Sequence, residues 1–394
     1  MPRFRLVVAV AALIPSMPLC AQRFTLKGSD AAVYNLVGSI RVQGAASGDI
    51  EVSVTRKGDD ASKLKVESGV VHGRESVRVI YPSDRIVFRG NGSRRSWSGG
   101  RTQVHVNDDG TFGDDRGRGD GWWGRDRVEI VSSGRGLDAS ADVTVSVPRG
   151  KSLRIALAAG DATIDNVDGD LDINVWAADV TTSHTRGELK LDTGSGETSV
   201  TDANGDVMLD SGSGGVTLSQ VKGSHLTIDS GSGRVRADGI AVERLNIDSG
   251  SGSIDLRDVA APDIVLDSGS GSVGLDLKAD VETMRIDSGS GSVSINVPES
   301  LGAELEARQG AAGSTSTSRC SCFGKAMILS ARSSAMAVDA FRSIQGRAPC
   351  GCTSGSRSRP KRTGRVLSTR PVLHASERCS PYFCSAPAAA FSPA

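Results

Sequence analysis

The 394-residue chain carries 46 basic and 46 acidic side chains and only 4% aromatics, too few to anchor two ordinary globular cores. Its 48 glycines follow no collagen period, which leaves stacked layers of Val, Ile and Leu around an internal repeat as the economical route to a core. The neutral total hides a division: from Gln309 onward twelve Lys and Arg face two acids, Asp339 and Glu377, so residues 1–308 are net acidic by the same amount.

Residues 1–21 read as a secretory signal. Arg3 and Arg5 precede the apolar run Leu6 to Ile14, and Leu19-Cys20-Ala21 offers a cleavage site after Ala21. The apolar run is too short to span a bilayer and no later segment is longer, so the expectation is an exported chain in the periplasm or at the cell surface, with no transmembrane segment.

Residues 22–150 hold short alternating runs, among them Ser39 to Val42, Ser76 to Ile80 and Val143 to Val147. They predict a β-rich N-terminal region that caps or begins the repetitive segment C-terminal to it. The Gly-, Arg- and Asp-rich stretch from Gly90 to Gly124 carries Trp97, Trp122 and Trp123, which are candidate partner contacts or covers for the end of the core. Within it, Gly119 to Gly124 spells a dinucleotide fingerprint without the strand and helix that give that motif its mechanism.

Residues 151–308 are repetitive. Asp-Ser/Thr-Gly-Ser-Gly begins at Asp192, Asp210, Asp229, Asp248, Asp267 and Asp287, in steps of 18 to 20 residues. An alternating apolar pair precedes the motif, as in Leu226 and Ile228, and a second comes after it, as in Ile254 and Leu256. Alternation predicts strands with one buried face. About nineteen residues cannot bury that face alone, so the copies must stack. The fold class expected is all-β: a parallel β-solenoid of about 19-residue repeats, with glycines placed for φ > 0 at each corner.

Stacking places the six aspartates in a column. Neighbouring carboxylates roughly 4.8 Å apart repel by about 0.9 kcal/mol even in water-like dielectric. The column is expected to be relieved by Asx turns, each carboxylate accepting from the backbone two residues on. Calcium bridging is the alternative, although the spacing differs from a nonapeptide calcium roll. No other cofactor is expected and no catalytic residue stands out: His184 and His225 are isolated, and no Gly-x-Ser-x-Gly elbow occurs in the repeats.

Gln22-Arg23-Phe24, the Tyr34 to Gly38 segment and the Asp-Ser-Gly-Ser-Gly repeats together resemble a bacterial domain-of-unknown-function family of adhesin-type proteins, over roughly residues 22–308. The resemblance implies an exported β-solenoid with a surface or adhesive role and no catalytic residues to carry over. The function expected is a non-enzymatic scaffold contacting envelope, glycan or protein partners, with no nucleic-acid partner. The rival class is a carbohydrate-active β-helix enzyme of the polysaccharide lyase or hydrolase type, which needs a local break in the repeat where acid, base and Arg or Lys converge.

Residues 309–394 lose the alternation and gain six of the seven cysteines. In the frame that starts at each codon's third base, residues 331–352 can encode another Asp-Thr-Gly-Ser-Gly with its flanking strands. The expectation is a tail without stable fold, produced by a frameshift near 308–313, and a solenoid that has lost its C-terminal cap.

Overall fold

The computed structural model describes residues 21–90, 100–113 and 125–296, with the backbone of four further strands: Glu304–Ala311, Ser314–Ser321, Leu329–Arg332 and Gly351–Ser356. Trp97, Trp122 and Trp123, and residues 1–20 of the expected signal, lie outside the described residues. Among those described, a 3-10 turn at Ala61–Lys63 is the one helical element. The chain is an all-β parallel solenoid, and it divides into two compact units between Val242 and Glu243.

In the middle of the first unit a coil is two strands meeting at a corner. Leu189–Ser195 and Thr198–Asn204 make one coil; Val207–Ser211 and the start of Val216–Ser230 make the next. The pairing is parallel and in step, with Leu189 opposite Val207, Asp192 opposite Asp210 and Thr198 opposite Val216. Inward Leu191, Val200, Leu209, Leu218 and Ile228 are all buried, whereas their outward neighbours, Met208 excepted, are polar. Each such side chain contributes about 1.5–3 kcal/mol by leaving water, and the stack makes the contribution continuous.

Two earlier coils are single bent strands, Ser152–Asp165 and Leu171–Arg186, paired from Leu153–Leu171 to Asp165–Ser183. The coil before them is not their sequence neighbour. Asp30–Ala45 pairs in parallel with Ser152–Asp165, from Asp30 opposite Ser152 to Gln43 opposite Asp165. Arg74–Ile80 and Ser140–Pro148 then pair with the two halves of Asp30–Ala45. Antiparallel strands Lys65–Val71, Ile50–Lys57 and Gln22–Leu26 complete that end and occupy edges that would otherwise be open. The N-terminal region thus both begins and caps the solenoid.

A buried polar cluster fastens this cap. The Asn35 side chain donates to Ala141 O (2.9 Å) and Val37 O (3.1 Å), and its Oδ1 accepts from the Tyr81 hydroxyl (2.8 Å). Burial raises the Tyr81 phenol far above its ordinary range, so it stays a donor. In the two bent strands next to the cap, Ala31–Val37 and Leu153–Ala159 are buried on both faces. Phe112 lies over them, 6.0 Å from the Tyr34 ring and 5.5 Å from Trp176, and Arg154 donates to Gly113 O at 2.6 Å.

In the second unit Arg244 to Ser249 pairs with Asp263–Ser268, which pairs with Thr283–Ser288; Ile254–Ala260, Val273–Leu277 and Val293–Asn296 stack likewise. Ile254, Leu266, Val273, Ile286 and Val293 fill its interior. Leu329–Arg332 adds in parallel to Thr283–Ser288, and Ser314–Ser321 pairs antiparallel with Glu304–Ala311 and Gly351–Ser356. These short strands fall in the segment expected to have no stable fold. An open solenoid edge offers unpaired N–H and C=O groups, which template such pairing.

Candidate binding trough and the aspartate corner

The six aspartates stand in register as expected, Asp192–Asp210–Asp229 in the first unit and Asp248–Asp267–Asp287 in the second. At four of them the expected Asx-turn donor is engaged elsewhere. The N–H two residues beyond Asp210, Asp229, Asp267 and Asp287 donates instead to the neighbouring coil: Gly212 to Thr193 O, Gly231 to Ser211 O, Gly269 to Ser249 O and Gly289 to Ser268 O, at 2.8–2.9 Å. Interstrand pairing outcompetes the local turn because it runs unbroken around the corner.

The serine that follows the aspartate in five of the six copies closes the corner. Ser211, Ser230, Ser249, Ser268 and Ser288 are fully buried, and each hydroxyl donates to the carbonyl three residues on, at 3.0–3.3 Å. Gly271 and Gly291 donate back to the Ser268 and Ser288 hydroxyls at 3.0 and 3.2 Å. A buried hydroxyl so paired carries no desolvation penalty.

Six of the corner glycines have a different cause from the one expected. Gly212, Gly214, Gly231, Gly233, Gly269 and Gly271 lie outside the left-handed φ range. What excludes a side chain is the coil below: a Cβ on Gly214 would fall closer than 3.0 Å to Gly196 O, and one on Gly233 equally close to Gly214 O. Gly196, which ends the Asp192 copy, does take a positive φ of 130°, and a further left-handed column is made of non-glycine residues in successive coils: Asn166, His184, Asp202 and Gln220, with φ of 53–57°.

Electrostatics separates two kinds of aspartate. Burial, and then the Asp229 carboxylate, raise the Asp210 carboxyl above its ordinary range. Asp206, on the return side of the same coil, is lowered by the His225 N–H, which donates to it at 2.9 Å, with burial opposing. His225 and His184 face Asp206 and Asp165 at 3.2 and 3.1 Å on exposed surface. Among the described residues no group of three or more His, Cys, Asp or Glu is placed to hold a metal ion.

A concavity lies on the outward surface of the second strands, within the first unit. It is a trough of about 1010 Å³. Two rows line it, one residue per coil. The first runs Ser39, Asp161, Asp179, Glu197, Gly215, Arg234; the second runs Arg41, Thr163, Thr181, Ser199, Thr217, Arg236. Asp142 and Lys57, an ion pair, close one end. Asp179 accepts the Glu197 backbone N–H at 2.8 Å, which fixes its carboxylate to the next coil. Sequence reasoning missed this trough, because outward positions in the second strand look like ordinary solvent-facing polar residues. Its signal was nonetheless present: Thr163, Thr181, Ser199 and Thr217 recur at steps of 18.

A parallel β-solenoid with a structural corner and a polar lateral trough defines a class of repetitive scaffold. Residues 187–318 match the family model Toastrack DUF4097, which bears out over that segment the resemblance carried by the repeats. A crystal structure of a "putative cell adhesion protein" from Clostridium sporogenes is similar over 80% of this chain and 94% of that one, at 9% identity and a TM-score of 0.18. No curated protein matches the chain.

Proposed function

We propose that the chain is an exported, non-enzymatic scaffold of the periplasm or cell surface that adheres to an envelope, glycan or protein partner. The observation that carries this reading is the uniformity of the coils. From Leu171 onward the coils pair in parallel with matching registers, apart from one shift between Leu256 and Val259, and the side chains of the trough arise as rows rather than as a local break. Catalytic β-helices depend on such a break to converge acid, base and electrophile. The Toastrack match over residues 187–318 fits a scaffold at the same coarse level.

The test uses the chain from Gln22 onward in a glycan array, in binding to envelope preparations, and in incubations with polysaccharides. The expected result is retained binding without new reducing or unsaturated ends. Product formation would contradict the reading in favour of a lyase or hydrolase, and absence of binding to every surface would contradict adhesion.

A further inference from the structure

We propose that the lateral trough is a binding site for an uncharged, linear oligosaccharide laid along the solenoid axis, a reading that rests on the scaffold function above. The trough departs from the general repeat. Its hydroxyl row, Thr163, Thr181, Ser199 and Thr217, is confined to four coils and bounded by Arg41 and Arg236. The equivalent position in the second unit holds Asp255, Gly274 and Ser294. A side-chain set of this kind is local to the trough and is not required by the fold, since inward residues and corners are unchanged.

The chemistry selects the ligand. Each Thr or Ser hydroxyl is one donor and two acceptors, and each ionised carboxylate is an acceptor only. Alternating sugar hydroxyls can satisfy both rows at once. Neighbouring coils are roughly 4.8 Å apart. An extended β-1,4-linked pyranose chain advances by nearly that distance per sugar, so successive sugars meet the same pair of rows. The volume of about 1010 Å³ suits several sugars rather than one.

Charge and backbone exclude the other polymers. Arg41, Lys57, Arg234 and Arg236 oppose Asp142, Asp161, Asp179 and Glu197, so the lining carries no net charge and gives no phosphate backbone a purchase. An extended peptide binds a sheet by adding to an edge, but the backbone groups of this surface are already paired coil to coil.

Isothermal titration of the chain from Gln22 with cellohexaose, chitohexaose and an oligogalacturonate of equal length tests the assignment. At least one neutral hexamer should bind, with affinity insensitive to salt. Thr181→Val with Thr217→Val should weaken it by about tenfold or more, through loss of two exposed hydroxyls, at unchanged thermal midpoint. Lys190→Ala, exposed on the other face, should leave it unaltered. Equal binding by the double variant, or a salt-sensitive preference for the acidic oligomer, would overturn the proposal. If envelope binding persists while no neutral oligomer binds, the trough assignment alone falls; if the unaltered chain binds neither, the scaffold reading falls with it.

Discussion

A glycine at a solenoid corner is held in place by the residue one coil away, and two adjacent positions separate that cause from backbone freedom. The space a Cβ would take at Gly214 is filled by Gly196 O, whereas one at Gly215 would have 4.0 Å to its nearest neighbour. Gly214→Ala should therefore cost about 3 kcal/mol or more, as overpacking against rigid backbone does, and Gly215→Ala should change stability by less than about 0.5 kcal/mol. Urea unfolding of the two variants measures the difference directly. The aspartate beside this corner makes the second residue-level prediction. Because the Asp210 carboxyl is raised in the folded state, the native chain binds more protons than the unfolded one between the ordinary carboxylate range and the raised value. Stability contributed at this site is present below the unfolded value and falls as pH rises through that window. Asp210→Asn should thus stabilise the protein at pH 7 and give no gain in strong acid, as thermal melts across pH will report.

At the scale of the element, the strict copies were legible because a two-residue alternation and a fixed step are both local signals. The first coil was not. Asp30–Ala45 shows alternation only in its second half, since both faces of Ala31–Val37 are buried, and its partner lies across an insertion of more than a hundred residues. Nothing in a local window announces a non-local parallel pairing. The corner was legible as a turn but not as to mechanism: sequence names Asp, Ser and Gly without saying which hydrogen bond wins, and unbroken interstrand pairing leaves the closing role to serine. The junction of cap and first coil gives a prediction of its own. Asn35→Ala would remove the side-chain donor to Ala141 O and Val37 O in a buried site, leaving the Tyr81 hydroxyl its bond to Val37 O, and should destabilise the protein by about 1–3 kcal/mol. Hydrogen exchange should show the loss first in Asp30–Ala45 and Ser140–Pro148. Protection unchanged in those two strands would mean that the cluster does not fasten the cap.

For the whole molecule, the division between an acidic repetitive body and a basic, cysteine-bearing tail is one of coding as much as of folding. We propose a frameshift near residues 308–313. The family match ends at residue 318, a few residues beyond this point. Resequencing should find an insertion or deletion there, and the restored frame should extend the solenoid by at least one Asp-Thr-Gly-Ser-Gly coil and reduce aggregation. A single uninterrupted frame that encodes the present tail would refute it. The trough, in turn, was hidden in the sequence by its position on outward faces, where polar residues are expected whatever their role.

If the repeated corner is architectural and binding resides in the variable outward rows of the second strands, two variants should differ in envelope binding: Asp229→Asn at the corner, and Thr181→Val with Thr217→Val in the trough. The expected result is that the corner variant binds as the unaltered chain does and that the trough variant loses binding while staying folded. Loss at the corner with retention in the trough would contradict it.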